Sequence, residues 1–229
     1  MSNTESINFA QNAAITYDAR IINLVPGYTA QQETSAAILG TLLPGKASIL
    51  VVGAGTGTEL IQFAQTNPNW QFVAIDPAAE MLALAQQRVI QANLDERIEL
   101  QTCALSAYQP GQQHDAAISL LVTHFLPDNG EKAQFFCDIS RCLAPNAPFL
   151  ASEYSTWSSP LAMQAYQQWS KNLGKSDEEI ELMTKRISGS FHPVDIKRRL
   201  QLLDDAGFDQ AQIFFQALDF HAYLAQKKT

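Results

Sequence analysis

The sequence predicts an α/β fold: a doubly wound, mostly parallel sheet of seven strands, with an antiparallel C-terminal hairpin and a helical insert. Three observations predict it. Short apolar runs alternate with amphipathic stretches between residues 47 and 153, the pattern of strands joined by right-handed helical crossovers. The first apolar run enters a loop with three glycines in five positions, Gly53-Ala54-Gly55-Thr56-Gly57. The composition, 46% hydrophobic and 17% charged over 229 residues, suits one well-buried globular unit rather than a disordered chain.

The elements follow in order. Residues 1–28 are mixed and polar, ending in Val25-Pro26-Gly27-Tyr28. Thr29-Ala30-Gln31-Gln32 has capping-box spacing and should open a helix with Ala36, Ile38, Leu39, Leu42 and Leu43 as its apolar face; Pro44-Gly45 stops it. Residues 47–52 are a continuous apolar run, as expected of a central strand covered on both faces. A helix is expected over 58–64. A strand over 70–75 ends at Asp76, and Pro77 should open a helix to residue 92, because its fixed φ suits the first helical position. Further strands are expected over 98–102, 115–123 and 149–153. Helices are expected over 131–143 and 194–205, the second closed by Ala206-Gly207-Phe208. Residues 212–217 and 220–225 form the hairpin across Leu218-Asp219.

Between residues 154 and 193 the rhythm breaks. Two helical patterns, 160–171 and 177–187, carry Met163 and the aromatics Trp157, Tyr166 and Trp169. An insertion after a strand's carboxyl end lies over the crevice where open α/β sheets bind ligands. Its aromatic residues read either as an apolar lid for a flat or lipophilic small molecule or as helix-face packing. The chain thus reads as a single domain with an N-terminal helical cap (1–45), a core (46–153), a helical lid insert (154–193) and a closing helix and hairpin (194–229).

Charge and cysteine usage exclude several classes. Lys and Arg number 15 against 23 Asp and Glu, a net charge of −8, so no strong nucleic-acid surface is expected. The basic cluster Lys197-Arg198-Arg199 reads as the solvated face of a helix. No apolar run approaches the roughly 18–20 residues that span a bilayer, and MSNTESINFAQNAA lacks a basic start followed by an apolar run. A cytoplasmic protein with no membrane partner is therefore expected. Cys103, Cys137 and Cys142 form no CxxC and have apolar neighbours, which suggests buried thiols in a reducing compartment. GxSxG, GxxxxGK[ST] and metal-spaced His/Cys clusters are absent, so a serine hydrolase, a P-loop and a metal site are unsupported.

The glycine loop carries the strongest chemical signal. Glycines let the backbone turn tightly and approach a ligand, and the helix N-terminus behind them favours a negative group. The spacing is GxGxG, with Thr58 where the third glycine of a dinucleotide fingerprint would stand. Asp76 ends the next strand, 19 residues after Gly57. A carboxylate there can accept from both hydroxyls of a ribose and can also cap the following helix, and the two roles can coexist. Proton-transfer candidates are few: His124 after the fourth strand, whose intrinsic pKa suits base work, and Glu153 at the end of the fifth. The alternatives are a structural His124 and a capping or solvated Glu153. His192 reads as a loop residue, and His114 and His221 as surface residues.

On these motifs, from about residue 49 to the C-terminus, the chain resembles the class I S-adenosylmethionine-dependent methyltransferases. The resemblance implies a Rossmann-like methyltransferase fold, S-adenosyl-L-methionine as cofactor, and methyl transfer to a small-molecule oxygen or nitrogen acceptor by in-line displacement. It implies that Gly53, Gly55 and Gly57 contact the methionine part and that Asp76 holds the ribose. It places Pro77 and Met81 on either side of the adenine, Cys103 and Ala104 at its edge, and Leu120 near the transfer site. Two positions depart from the family. Val51 stands where an acidic residue is common, and Cys103 where Asp often accepts from the adenine amine. These departures motivate a second class of reading, a non-catalytic cofactor-binding module; a nicotinamide dehydrogenase is a weaker one.

Tyr17-Asp18-Ala19-Arg20, Val25-Pro26-Gly27-Tyr28, Ser152-Glu153, the 178–186 helix and Ala206-Gly207-Phe208 are closer still to the carboxy-S-adenosylmethionine synthase branch. That branch modifies the cofactor itself for tRNA wobble-uridine chemistry. The likeness implies a homodimer and a Tyr28 that closes over the cofactor; an anchor for the following helix is the other reading of Tyr28. In that branch an Arg before Ala-Gly-Phe grips the extra carboxylate. Counting back from Ala206 places Leu202 there, with Arg198 and Arg199 one turn earlier. That departure favours ordinary methyl transfer.

Overall fold

A computed structural model describes residues 17–43 and 45–229. The sequence readings on residues 1–16 and on Pro44 lie outside the described residues. Helix α1 (Tyr28–Leu42) precedes β1 (Ala47–Val52), α2 (Thr58–Thr66), β2 (Trp70–Asp76), α3 (Ala79–Gln91) and β3 (Ile98–Thr102). The second half of the sheet follows with β4 (Ala116–Leu120), α4 (Glu131–Cys142) and β5 (Pro148–Tyr154). The insert is α5 (Pro160–Asn172) and α6 (Asp177–Lys185), and the chain closes with α7 (Ile196–Asp205), β6 (Phe208–Ala217) and β7 (Phe220–Lys227).

The seven strands lie in the order β3-β2-β1-β4-β5-β7-β6. β1 pairs in parallel with β2 on one side, Val52 opposite Ile75, and with β4 on the other, Val51 opposite Ile118. The chain runs outward from β1 to β3 and then returns to the other side of β1. The carboxyl ends of β1 and β4 therefore flank a topological switch point, where open α/β sheets leave a crevice. β7 pairs antiparallel with β5 from Pro148↔Gln226 to Tyr154↔Phe220.

Two apolar layers sandwich the sheet. One holds Leu39, Phe63, Trp70, Leu82 and Val89 from the α1–α3 side. The other holds Phe136, Ile139, Leu202, Leu203 and Phe208 from the α4–α7 side. A third cluster, with Tyr28, Leu121, Tyr154, Tyr166, Met183 and Phe220, seats the insert over the carboxyl ends of β5 and its neighbours.

Several local expectations are corrected. α1 opens at Tyr28, not in a box at Thr29: Gly27 caps it in a left-handed conformation with φ 72° and without a side-chain bond. The box with both reciprocal bonds is in the insert, Ser176 with Glu179. Pro77 stands before α3 rather than inside it, because Asp76 Oδ1 accepts from the Ala78 N–H (2.8 Å) and turns the chain there. β4 ends at Leu120, shorter than expected, because Leu121 takes a positive φ of 58°. α6 ends at Lys185 and passes into a π-helical turn, Arg186–Ser190. Of the cysteines only Cys142 is buried; Cys103 is half-buried and Cys137 exposed.

His114 and His221 are interior residues, not surface ones. His114 bridges Ser48 Oγ and Tyr108 OH, each at 2.8 Å, and His221 Nδ1 lies 2.9 Å from Ser155 Oγ. Among the described residues no helix is long and apolar enough to cross a membrane.

One close approach fixes the crevice. Gly53 has φ 76°, and a Cβ there would lie 2.3 Å from Val122 Cγ2. Gly53→Ala therefore combines backbone strain with overpacking and should lose about 2–4 kcal/mol of stability in urea denaturation. Gly111→Ala is the control, since nothing lies within 4 Å of a Cβ there. A Gly53→Ala variant as stable as that control would contradict the assignment.

Candidate functional site

The glycine loop hangs from the end of β2. The N–H groups of Gly53 and Ala54 both donate to Ile75 O, at 2.8 and 3.1 Å. Gly57 lets α2 start against α3, because a Cβ there would meet Ala85 Cβ at 3.0 Å. Asp76 is buried beside the loop. Its Oδ2 accepts from the Gly55 N–H at 2.9 Å and its Oδ1 from Ala78. Burial pushes its pKa up, and the two backbone donors oppose that shift.

A second set of bonds clamps the far side of the loop. Thr56 Oγ1 donates to Asp18 Oδ1 (2.6 Å), whose other oxygen pairs with Arg88 (2.5 Å). Arg88 also donates to Thr56 O (3.1 Å) and Thr58 Oγ1 (3.2 Å). Glu59 accepts from Tyr28 OH at 2.6 Å and from Gln32 Nε2 at 2.8 Å. Burial raises the Glu59 pKa, and the Tyr28 bond partly offsets it. Tyr28 is thus buried, with its hydroxyl committed to α2.

A cleft of about 310 Å³ opens at the carboxyl ends of the strands. Val52 and Gly53 form one wall, Ile75 and Pro77 a second, residues 103–106 a third, and Val122 and Leu126 a fourth. α4 closes it with Glu131, Gln134, Phe135 and Asp138. The volume is at the small end of ligand-pocket sizes. Four expected site residues, Gly53, Pro77, Cys103 and Ala104, meet on these walls. Gly55 and Asp76 adjoin them through their shared hydrogen bond. Met81 is buried against the loop, its Cε 3.7 Å from a Cβ at Gly55, and Leu120 is half-buried just before the strained Leu121.

Behind the cleft lies a buried ionic cluster. The turn after β4, Thr123–Phe125, is held from three elements. Thr123 Oγ1 donates to Glu153 of β5 and accepts from Arg199 NH1 of α7 at 2.8 Å. Arg199 also pairs directly with Glu153, and both side chains are 1% exposed. Lys132 Nζ of α4 donates to Thr123 O at 2.5 Å. The Arg199 guanidinium further lies over the rings of Phe136 (5.3 Å) and Tyr223 (5.9 Å). Burial pulls Lys132 down to about 7 and Arg199 to about 9. Arg199 is therefore not on a solvated helix face. Neither is Glu153 a cap or a solvated group. Arg198 does face outward, with two bonds to Asp128 at 2.8 and 2.9 Å.

His124 is enclosed, 2% exposed among Phe125 (4.2 Å), Phe191 (4.6 Å) and Tyr154 (5.0 Å between ring centres). Burial, then Lys132 and Arg199, push its pKa down to about 3, so its ring is neutral. Neither His124 nor Glu153 lines the cleft. In the insert, Tyr166 is buried between Trp157 (5.5 Å) and Trp169 (5.7 Å), and its hydroxyl donates to Leu24 O at 3.1 Å.

The sequence reading passed over Lys132, Thr123, Glu59 and Arg88. For Lys132 and Arg199 a signal existed. Lys132 shares the helical stripe of Phe135, Phe136 and Ile139, and Arg199 that of Leu202, Leu203 and Ala206. A cation on an apolar stripe points to a buried partner. Among the described residues no group of three or more His, Cys, Asp or Glu side chains could hold a metal.

Comparison with known proteins bears on these geometries. Residues 50–149, which run from β1 into β5, match the model of a family described as a methyltransferase domain. A curated relative, the carboxy-S-adenosyl-L-methionine synthase of Campylobacter hominis, is 26% identical over 230 residues, covering 97% of this chain and 95% of its own length. Two solved structures share the fold. A possible exported protein from Bordetella parapertussis has a TM-score of 0.70 at 17% identity, with 87% of this chain and 68% of that one covered. The magnesium protoporphyrin IX methyltransferase of Synechocystis PCC 6803, solved with bound SAH, has a TM-score of 0.65 at 14% identity, with 90% and 86% covered.

The ionic cluster makes a stability prediction. Arg199→Met leaves Glu153 buried and unpaired, which should cost about 3–5 kcal/mol in urea denaturation. Adding Glu153→Leu should recover most of that loss, because well-packed apolar replacements of a buried pair are often neutral. A single variant of wild-type stability would show that the pair does not form.

Proposed function

We propose that this chain, whose residues 50–149 match the model of a methyltransferase domain, transfers the sulfonium methyl of S-adenosyl-L-methionine to a small-molecule oxygen or nitrogen acceptor by in-line displacement. One observation carries the reading: the Asp76 carboxylate is hydrogen-bonded to the glycine loop, and its chain neighbours Ile75 and Pro77 line a cleft at the switch point. The residues fit the donor. The lack of a Cβ at Gly53 lets the loop pack directly on Val122, and both residues line the cleft. Each Asp76 oxygen has one backbone donor and further acceptor capacity, which suits a diol. The apolar walls suit a purine.

In this reading Gly53, Gly55 and Gly57 take the methionine end and Asp76 the ribose. Pro77, Met81, Cys103 and Ala104 surround the adenine, and Leu120 lies toward the transfer site. Tyr28 supports the loop through Glu59 rather than covering the donor. The sulfonium is already activated, so what this chain adds is alignment, which can be worth several kcal/mol. We assign His124 and Glu153 to holding the turn after β4 rather than to moving protons, because one is enclosed and neutral and the other is ion-paired. A homodimer rests on the sequence resemblance, a cytoplasmic location on cysteine usage, and the division into cap, core, lid and closing segment on the order of apolar runs and helical patterns.

A second reading, modification of the cofactor itself, is favoured by the name of the curated relative that spans 97% of this chain. The side chains argue against it. Leu202 is buried in the core, Arg198 is paired with Asp128 and Arg199 with Glu153, so α7 offers no free guanidinium for an extra carboxylate.

Calorimetry should show that the wild-type chain binds S-adenosylhomocysteine. Asp76→Ala should weaken it by about tenfold or more, as expected for loss of a charged hydrogen-bond acceptor. Unchanged affinity would remove the ribose assignment. Mass spectrometry of a co-purifying ligand separates the two readings, since a carboxyl group on the sulfonium methyl belongs to the second alone. Binding without turnover across a broad acceptor panel would favour a non-catalytic module.

A further inference from the structure

The cleft leaves one recognition task without a residue. Cys103 stands at the end of β3, on the wall that the reading above gives to the adenine edge. It is half-buried, and desolvation raises its thiol pKa, so it faces the cleft as a neutral thiol. A thiol is a weak acceptor and cannot hold an exocyclic amine as a carboxylate would.

Another part of the lining carries the chemistry that this one lacks. Glu131, Gln134, Phe135 and Asp138 are spaced by three, one and three residues along α4, one helical stripe, and all four line the cleft. Phe135 is the apolar member. Asp138 is the most enclosed of the three polar ones, its side chain 14% exposed. Its Oδ1 accepts from Gln134 Nε2 at 3.2 Å and lies 3.7 Å from Arg141 Nε. Arg141 is itself anchored, donating to Tyr108 O (3.1 Å) and Gln109 Oε1 (3.3 Å). Asp138 is thus a carboxylate held in place at the cleft, and its Oδ2 has no partner among the described residues.

We propose that Asp138, oriented by Gln134 and Arg141, reads the exocyclic amine of the bound donor's purine and so takes over from α4 the role that Cys103 cannot fill on β3. This rests on the donor reading above. It makes Asp138 a specificity-determining residue. A 6-amino purine donates to the carboxylate, whereas a 6-oxo purine turns an oxygen toward it and is disfavoured.

The test is calorimetry on the full chain with S-adenosylhomocysteine and its deaminated analogue, S-inosylhomocysteine. The wild type should prefer the amine form by about tenfold or more, the scale of one charge-assisted hydrogen bond. Asp138→Ala should bring the two affinities within about threefold, mainly by weakening the amine form. Asp138→Asn, which keeps an acceptor oxygen, should recover part of the preference, and Cys103→Ala should leave it intact. A thermal melt confirms that each variant is folded. Full discrimination by a folded Asp138→Ala, or its loss in Cys103→Ala, overturns the inference alone. A wild type that binds neither compound overturns the donor reading and this inference with it.

Discussion

The backbone at Gly53 runs where the side chain of Val122 needs space, and the rest of the site depends on that contact. A residue with a Cβ cannot stand there. The approach joins the two strands that flank the switch point, so the distance between the loop after β1 and the turn after β4 is set by packing. Strain accompanies it. Leu121, one residue before Val122, holds a positive φ of 58°, a conformation that costs a non-glycine residue of order 1–3 kcal/mol. Such a residue persists only where its surroundings over-determine it.

The surroundings do so. Leu121 N–H donates to Ser152 O at 2.7 Å, and the next residue but one, Thr123, is gripped by Lys132, Glu153 and Arg199. Burying three charges is costly; the attraction between Arg199 and Glu153 offsets it only when the geometry is good, and Lys132 has the Thr123 carbonyl as its acceptor. The return is a rigid turn tied at once to α4, β5 and α7. In this account the buried charges of that cluster position backbone, while the charged side chains that line the cleft itself, Glu131 and Asp138, both come from α4.

The fold was largely legible in the sequence because its signals are local. β1 to β3 announce themselves by continuous apolar runs, and β2 and β3 end where the alternation of run and turn said they would. The glycine loop and Asp76 were legible for the same reason: spacing along one chain carries them. What was illegible depends on contacts between distant segments. Arg199 and Glu153 lie on α7 and β5 and meet only in the folded sheet, so a cluster of three basic residues read as solvated. His114 and His221 were misread because a histidine's burial is set by the partners that satisfy it, here Ser48, Tyr108 and Ser155. Gly27 opens α1 because Phe215 of β6 crowds it, with a Cβ there 2.6 Å from the ring, and no capping pattern could show that.

The most direct test of the central claim is a crystal structure of the chain with S-adenosylhomocysteine. The account predicts electron density for the compound at the switch point, its ribose hydroxyls on the Asp76 carboxylate and its purine in the cleft between residues 103–106 and α4. Density at any other place on the molecule, or a ribose turned away from Asp76, would contradict it.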